Sequence, residues 1–526
     1  LAIALARVPR GAGTGGDASL IRALAEDAGV SIDPLDCKLG APYEGPRHAR
    51  LAALDDALWR SNGDTVERLE MLAMQAVAWK ERPRGFARTA AVLETIHGEI
   101  LPAVRASGEA EIAALLAGLD GRFVAPGPSG APTRGRLDVL PTGRNFFSVD
   151  SRAVPTPAAW ALGWRSASLL IERHLQDHGD WPRAMALTAW GTSNMRTGGD
   201  DVAQALALMG CRPTWDAASR RVTGFETLPL SVLGRPRVDV TLRVSGFFRD
   251  AFPGLIDLVD GAARAIQGLD EPAAENPAAA KWREEVAGGA DPARAAFRVF
   301  GSKPGAYGAG LQALIDERIW SDRADLADAY LDWGGYAYGK GAEGEAARGD
   351  FANRLKDVDA VVQNQDNREH DLLDSDDYYQ FEGGLSATVE ALTGEAPTVY
   401  HNDHSRPERP VIRTLEEEIG RVVRARVVNP KWIEGVKRHG YKGAFEMAAT
   451  VDYLFAFAAT TRAVRGRHFD LVHDAYLADD ATRRFIEDAN PAALREIAER
   501  LAEAIERGLW TPRSNSARAL VERLAA

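Results

Sequence analysis

The sequence contains only two cysteines, Cys37 and Cys211, and no long uninterrupted run of apolar residues. Two cysteines are too few for a disulfide framework or for a cage of thiolate ligands around a metal ion. A membrane-spanning helix needs about 20 consecutive apolar residues, which the chain does not offer. These absences predict a cytoplasmic protein with no membrane partner.

Basic residues are not in excess either. The 63 Lys and Arg residues against 75 Asp and Glu residues give a net charge of -12. Binding to phosphate backbones requires clustered positive charge, so this balance argues against a nucleic-acid partner and leaves only local basic pockets for a small acidic ligand. The chain opens on Leu1 inside a predicted element, so we expect it to be part of a longer polypeptide.

Three regions follow from the patterns along the chain. Residues 1–125 are mostly helical, with apolar residues at helical spacing, and a Pro- and Gly-rich linker follows at 125–132. From 137 to 270 strands and helices alternate, and after a Pro-, Glu- and Ala-rich stretch residues 292–526 are mostly helical with a few strands. The predicted fold class is therefore multi-domain α/β, with a central, mostly parallel layer flanked by predominantly helical regions.

Apolar periodicity predicts individual elements within these regions. Helices are predicted from Pro157 onward, over 201–209 with Gly210 at its end, and over 252–266. The predicted strands are 184–190, 238–244, 358–362 and 398–400.

Two glycine-rich segments are similar to phosphate-binding loops but lack essential parts. Residues 11–16 match the dinucleotide fingerprint, but Pro9-Arg10 separates them from the preceding apolar run and no βαβ pattern follows. Residues 334–340 have Walker-type spacing, but Gly341 occupies the position of the hydroxyl that must reach Mg²⁺. We therefore expect this chain to bind no ATP.

Two further loops offer cations to an acidic ligand. Within residues 141–157, the turn Gly143-Arg144-Asn145 precedes Phe146-Phe147, which places cationic and amide donors beside aromatic faces. That combination suits a flat ligand with carboxylates, and an ordinary strand–loop–helix junction is the alternative. The loop 301–310 carries Lys303 before a predicted helix start, where backbone N–H groups bind anions, and a plain glycine-rich connector is equally compatible.

Residues 363–384 mix acids with amides, a histidine and two tyrosines directly after a predicted strand. Ligand sites of α/β proteins form at such strand ends. Like charges at this density repel unless a cation, a proton or a helix dipole holds them. We interpret this segment as an acid–base site on a large internal cavity shared with Arg144 and Asn145, and a solvated acidic helix start is the alternative. Its candidate catalytic residues are His370, Asp371, Asp374, Asp376, Asp377 and Glu382.

A second cluster, on a predicted turn, contains His401, Asp403 and His404. Imidazole nitrogens with a carboxylate oxygen suit a divalent transition ion, and we expect weak, transient binding because thiolates are absent. Two histidines in a solvated loop are the alternative.

Several segments, read in order along nearly the whole chain, carry a family resemblance. They resemble the C-terminal part of the large subunit of aerobic cobaltochelatase, in the family that includes the magnesium-chelatase large subunit. Arg144-Asn145-Phe146-Phe147-Ser148-Val149-Asp150 is more similar to the cobalt branch. The other segments are Trp190-Gly191-Thr192-Ser193-Asn194-Met195-Arg196-Thr197-Gly198-Gly199, Val244-Ser245-Gly246-Phe247-Phe248-Arg249-Asp250, Arg298-Val299-Phe300-Gly301 with the loop 301–310, the acidic run 363–384, Asn429-Pro430-Lys431-Trp432 and His439-Gly440-Tyr441-Lys442-Gly443.

The resemblance implies that the chain belongs to a tetrapyrrole-binding subunit, while two smaller ATPase-motor subunits use ATP and Mg²⁺. In the cobalt branch, Co²⁺ is the substrate metal and enters hydrogenobyrinic acid a,c-diamide in aerobic cobalamin (vitamin B12) biosynthesis. The acid cluster would then accept ring protons, and His401, Asp403 and His404 would deliver the metal. Peripheral ring carboxylates would bind to Arg144, Asn145, Arg196 and Lys303.

Three alternatives remain at this point. The chain could be part of a magnesium chelatase that inserts Mg²⁺ into protoporphyrin. It could also be a non-catalytic module that binds the macrocycle and docks the motor, because the preceding half of the family's large chain is absent and the isolated fragment is expected to be inactive. A dinucleotide oxidoreductase, based on residues 11–16, is the most distant alternative.

Overall fold

An eight-stranded sheet and a separate two-stranded ribbon contain all the strands of the part of the chain that the structure describes. The structure is a computed structural model, and it describes residues 19–78, 85–128, 137–144, 149–217, 219–368 and 370–526. The strands are β1 (Ala184–Ala189), β2 (Cys211–Trp215), β3 (Val222–Thr227), β4 (Asp239–Val244), β5 (Val299–Gly301), β6 (Tyr336–Gly339), β7 (Ala342–Ala346), β8 (Ala360–Gln365), β9 (Thr398–Asp403) and β10 (Val411–Thr414).

The large sheet has the order β10-β9-β8-β1-β4-β5-β6-β7. Its five central strands, from β9 to β5, are parallel, and antiparallel strands close both edges. All six residues of each of β1, β4 and β8 are buried, as expected for a parallel sheet that is covered on both faces. The expected mostly parallel α/β architecture is confirmed.

Helices cover both faces of this sheet. On one face, the helix Pro157–His178 begins with Thr156, whose hydroxyl accepts the backbone N–H of Ala159, and ends at Gly179 with φ 83°. Asp200–Met209 and Pro253–Gln267 pack beside it. The opposite face is covered by Arg323–Gly334, Arg348–Leu355, Gly384–Thr393 and Tyr441–Thr460.

The remaining helices lie before the sheet, in its connections and in the C-terminal part. No helix among the described residues has the length and apolar character that crossing a membrane requires. These helices are Leu20–Asp27, Ala49–Ala52, Asn62–Val77, Ala87–Thr95 continued by Ile96–Ile100 and Leu101–Leu119, Gly191–Thr197, Leu230–Leu233, Gly246–Ala251, Pro277–Ala287, Pro292–Ala295, Gln312–Asp316, Asp376–Tyr378 with Tyr379–Gly383, Leu415–Val422 with Val423–Val427, Pro430–Lys437, Gly466–His473 with Asp474–Ala478, Asp480–Ala489, Pro491–Glu506 and Asn515–Ala525, with short turns at Leu137–Val139 and Ser151–Ala153.

Each predicted strand and helix from 157 to 270 is present, with its ends shifted by a residue or two. The division between the regions 137–270 and 292–526 needs a correction, because β1 and β4 come from the first and the other six strands of the same sheet from the second. Local periodicity identifies strands but not their partners, so the linker-like composition at 270–291 does not mark a boundary of the sheet.

The Walker-type segment also has a clear structure. Residues 336–339 form β6, which turns directly into β7, so no helix start faces a phosphate there. The other glycine-rich segment, 11–16, lies outside the described residues.

Candidate functional site

The carboxyl ends of β1 and β8 are adjacent at the centre of the sheet. From β1 the chain leads to β4 on one side, and from β8 it leads to β9 on the other. Ligands of open α/β sheets bind at such a reversal of strand order, outside the carboxyl ends of the strands. Trp190 follows β1, and the predicted acidic segment follows β8, so both lie at this edge.

The segment after β8 folds back over the sheet through a short helix and a π-helical turn, Tyr379–Gly383. Ser375 caps this helix by accepting the backbone N–H of Asp377. Tyr378 and Phe381 then pack on Trp190, with ring centroids 4.8 and 5.8 Å apart. Isolated π-helical turns occur often at functional sites because they redirect side chains. Here the turn directs Glu382 into the protein interior, where it is fully buried.

Glu382 meets His401 from β9 in this enclosed space. The Glu382 carboxylate oxygens lie 3.0 and 3.2 Å from His401 Nδ1, and both side chains are fully buried. The Gln365 side-chain N–H donates to the His370 carbonyl, so its Oε1 faces His401 Nε2 at 3.2 Å and accepts from it. This arrangement fixes a proton on Nε2 and leaves Nδ1 to share a proton with Glu382.

The burial of this pair changes the pKa of both partners. Burial raises the pKa of the Glu382 carboxyl, although the His401 imidazole opposes the shift. Burial alone would lower the pKa of His401, but the Glu382 carboxylate outweighs it and the pKa is raised. The two groups therefore share a proton and titrate as a coupled pair, which suits a site that accepts and releases protons.

Asp371 and Asp374 are bound to one guanidinium. Asp371 accepts two hydrogen bonds from Arg426, at 2.6 and 2.8 Å, and Asp374 lies 3.1 Å from the same side chain. Burial and the neighbouring Asp371 raise the pKa of Asp374. Arg426 therefore supplies the cation that offsets the repulsion between these two carboxylates.

The other predicted members of the segment are more open. His370 and Asp377 are exposed, and the Asp376 carboxylate accepts a hydrogen bond from Gln380 at 3.1 Å. They lie along the same carboxyl edge as Glu382, but they do not face one another across an internal space.

The proposed metal ligands do not meet at one point. His401 and Asp403 lie on β9 rather than on the predicted turn, and His404 follows directly. Successive strand residues point to opposite faces, so His404 is directed away from the face that carries His401. Arg368 and Arg413 bind Asp403. Among the described residues, no three His, Cys, Asp or Glu side chains are placed to hold a metal ion.

His404 instead joins a buried polar network on the other face of the sheet. Ser166 Oγ accepts from Gln204 at 2.9 Å and lies within hydrogen-bond distance, 2.7 Å, of His404 Nε2. Gln204 also accepts from Asn364, which in turn donates to Asp201. Burial raises the pKa of Asp201 to about 6.

The predicted substrate-binding residues occupy separate positions. Arg196 forms two hydrogen bonds with Asp366, at 2.8 and 2.9 Å, and its side chain is half exposed at the carboxyl edge. Lys303 is exposed in the loop after β5, at the same edge. Arg144 lies against Gly127, where an added Cβ would lie 2.6 Å from its Nε. Asn145 lies outside the described residues, as do Phe146 and Phe147.

A cavity of about 900 Å³ lies at the opposite edge of the sheet, beside the amino ends of β1, β8 and β9. Its walls include His174, His178 and Thr398 and none of the predicted site residues. This cavity is therefore not the predicted one, and the prediction that those residues line a large internal cavity together with Arg144 and Asn145 stays a prediction. Tyr378, Phe381 and Glu382 fill the space over the carboxyl edge instead.

Fold and site together define a doubly wound α/β protein with a water-excluded acid–base pair at the carboxyl edge of its sheet. Comparison with known proteins shows the family of this chain. A family model described as CobN/Magnesium Chelatase matches residues 1–517, and the chain belongs to that family.

The curated relatives include both branches. The aerobic cobaltochelatase subunit CobN of Sinorhizobium sp is 63% identical over 545 residues, which is 98% of this chain and 43% of the relative. The corresponding Pseudomonas aeruginosa protein is 58% identical over 97% of this chain and 42% of its own length. A magnesium-chelatase subunit of Cereibacter sphaeroides is 36% identical, over 78% of this chain and 34% of the relative.

A solved structure, the catalytic subunit of cobaltochelatase from Mycobacterium tuberculosis, superposes with a TM-score of 0.84 at 43% identity. It covers 100% of this chain, which matches 43% of that chain. This chain thus spans less than half the length of the cobaltochelatase relatives that it matches.

Proposed function

We propose that this chain is part of the large, tetrapyrrole-binding subunit of an ATP-dependent cobaltochelatase, which inserts Co²⁺ into hydrogenobyrinic acid a,c-diamide. The observation that carries the proposal is the fully buried Glu382–His401 pair at the carboxyl edge of the sheet. Its chemistry fits the reaction, because a metal ion enters a tetrapyrrole only when protons leave the ring nitrogens.

In this proposal the pair receives ring protons. His401 is oriented by Gln365, and its Nδ1 exchanges a proton with Glu382. A positioned acid–base group accepts a proton and later releases it, which contributes about 10²–10⁴-fold to a rate. The buried position keeps water away and strengthens the electrostatic coupling between ring, metal and carboxylate.

Access to this pair requires motion. Tyr378 and Phe381 close the space above it and pack on Trp190, so a macrocycle must displace the 376–383 segment to reach it. Closed sites of this kind open through conformational steps. We propose that two smaller ATPase subunits drive this opening and that Co²⁺ is a substrate, with His370, Asp376 and Asp377 attracting the hydrated cation at the rim.

The proposed binding groups for the ring's peripheral carboxylates are Arg196 and Lys303, because both lie at the carboxyl edge and are exposed. Arg144 and Asn145 keep this role as a prediction. We assign no metal-delivery role to Asp403 or His404, since arginines or a polar network already bind them.

Magnesium insertion into protoporphyrin is the second candidate, and the 36% identity to a magnesium-chelatase subunit supports it. The 63% identity to a cobaltochelatase subunit over 98% of the chain favours cobalt. A third candidate is a module that binds the ring and docks the motor, with the chemistry in the rest of the longer polypeptide.

Reconstitution separates these candidates. The chain, supplied with the rest of the large subunit, both ATPase subunits and ATP, is mixed with Co²⁺ and hydrogenobyrinic acid a,c-diamide, and insertion is followed by ring absorbance. A parallel arm contains Mg²⁺ and protoporphyrin. We expect insertion only in the cobalt arm and a loss of insertion with Glu382→Gln. Insertion in the magnesium arm alone contradicts the cobalt assignment, and ring binding with full insertion by the variant supports the docking module.

A further inference from the structure

Four polar side chains form a row across the face of the sheet that carries His401, close to the carboxyl edge. Arg243 on β4 is in register with Thr188 on β1, and Gln363 on β8 is in register with His401 on β9. Thr188 donates to Gln363 and thereby joins the two pairs. All four side chains are buried. The row therefore leads from the Glu382–His401 pair to Arg243, on the far side of β8 and β1.

Arg243 is a fully buried cation, and the residues that the structure describes give it no carboxylate partner. Its guanidinium donates to the carbonyl of Val244 and, at 3.5 Å, to that of Gly308, and it also forms a side-chain hydrogen bond with the neutral Tyr330 hydroxyl, while its Nε has no hydrogen-bond partner. The rings of Tyr330 and Phe381 lie 5.5 and 5.1 Å away. Burial of an uncompensated charge is costly, so such a group calls for an anion.

Arg298, which forms a structural ion pair, provides a comparison for Arg243. Arg298 is also fully buried, but it forms two hydrogen bonds with Asp239, at 2.6 and 3.0 Å. Asp239 lies at the amino end of the strand that carries Arg243 at its carboxyl end. At its amino end β4 therefore contacts Arg298, whose charge is balanced by Asp239. At its carboxyl end, where the candidate site lies, β4 carries Arg243, which has no carboxylate partner among the described residues.

The surroundings of Arg243 connect it to that site. Phe381 touches both the guanidinium and Trp190, and the next residue is Glu382. Gly308 belongs to the loop between β5 and the buried Leu311, in which Lys303 and Tyr307 are exposed. Gly305, Gly308 and Gly310 of this loop have positive φ angles, which favour glycine. This loop follows the carboxyl end of β5 and contacts the guanidinium through the Gly308 carbonyl.

We propose that Arg243 binds a carboxylate of the macrocycle, which takes the place of the Gly308 carbonyl when the loop moves aside. A guanidinium fork matches a carboxylate with two parallel hydrogen bonds, which a neutral ester or amide does not reproduce. This inference rests on the proposed function and adds a specific anionic subsite to it. The subsite would hold the ring between β4 and the Glu382–His401 pair.

The test compares two ligands on the wild-type chain and its variants. The affinity of the wild-type chain for hydrogenobyrinic acid a,c-diamide and for its peripheral methyl ester is measured by absorbance titration. The same titrations are made with Arg243→Met and with the matched control Arg298→Met. Thermal unfolding of each variant shows whether it folds, and Arg243→Lys tests whether a charge without the planar fork is sufficient.

We expect Arg243→Met to weaken binding of the acid by about tenfold or more and to leave binding of the ester within about threefold. Arg243→Lys should restore part of the affinity for the acid. Because Arg243→Met removes an uncompensated charge, its melting temperature should fall less than that of Arg298→Met, which leaves Asp239 unpaired.

The other outcomes contradict the inference. Equal weakening of acid and ester in Arg243→Met, or no weakening of either, shows that Arg243 is a packing residue while the proposed function stands. If the wild-type chain binds neither ligand, both the inference and ring binding by this chain are wrong. The acid–ester preference in Arg298→Met should equal that of the wild type.

Discussion

Glu382 and His401 are brought together from two different strand ends, with the carboxylate 3.0 Å from Nδ1 and both side chains fully buried. The pairing depends on the parallel register of β8 and β9, in which Gln363 is opposite His401. It also depends on the π-helical turn Tyr379–Gly383, which directs Glu382 inward.

The buried Asp201 carboxyl should make stability depend on pH. Burial raises its pKa to about 6 from 3.8. Between these values the unfolded chain binds fewer protons than the folded one, so the free energy of unfolding falls as pH rises from about 4 to 6, by up to about 3 kcal/mol from this group. Urea unfolding at several pH values measures this slope, which should be shallower in Asp201→Asn. Parallel profiles for both proteins would contradict the assignment.

Asp371→Asn should lower the free energy of unfolding by about 1–3 kcal/mol, because it breaks a two-bond contact with the largely buried Arg426. Asp376→Asn is the matched control. Its carboxylate accepts a single hydrogen bond from Gln380, and we expect less than about 0.5 kcal/mol. Denaturant titration of both variants provides the comparison. An Asp371→Asn variant that is less stable but inserts cobalt at the wild-type rate would restrict Asp371 to the ion pair.

His404→Ala should reduce stability without changing the cobalt dependence of insertion. The variant breaks the buried contact with Ser166 and leaves a cavity, at a cost of about 1–4 kcal/mol. His404 lies on the face of the sheet opposite His401, so it should not share a metal with it. The cobalt concentration for half-maximal insertion is the readout. An increase in that concentration for His404→Ala would restore the two-histidine site that the sequence predicted.

Lys340→Ala should have no effect on ATP use by the complex. The backbone N–H of Lys340 donates to Asp260 at 2.9 Å, and the residue lies in the turn between β6 and β7. Gly339→Ala is the informative companion, because a Cβ there would lie 2.5 Å from the Asp260 carboxyl carbon at a φ of 127°. That variant should unfold at a lower temperature. A Lys340→Ala complex with reduced ATP hydrolysis would contradict this account.

Each of the four predicted strands, 184–190, 238–244, 358–362 and 398–400, overlaps a strand of the structure because local patterns determine it, whereas β2, β3, β5, β6, β7 and β10 were not predicted. The predicted strand at 238–244, for example, alternates polar and apolar residues, and β4 occupies residues 239–244. Alternation normally indicates one solvated face, and it therefore gave no sign that Arg243 is buried. Only the long-range placement of Tyr330 and Phe381 over that face removes Arg243 from water.

The chemistry of the site was predictable only in part. Residue types pointed to Glu382 and to His401, but as members of two separate clusters 19 residues apart. Their pairing follows from strand order, which is set by contacts across the whole chain. Conversely, His401 and His404 are close in sequence but diverge because a strand alternates its side chains between two faces. Two histidines three residues apart can therefore share a metal ion on a turn, whereas on a strand they lie on opposite faces of the sheet.

The most direct test of the account is the insertion rate of Glu382→Gln in the complete complex, at saturating Co²⁺, ATP and hydrogenobyrinic acid a,c-diamide. The substitution keeps the size of the side chain and its hydrogen bond to His401, but it removes the group that holds the proton. We expect the rate to fall by about 10²-fold or more, with the dissociation constant of the ring and the melting temperature near their wild-type values. A variant that inserts cobalt at the wild-type rate would show that the buried Glu382–His401 pair is not the proton-accepting site.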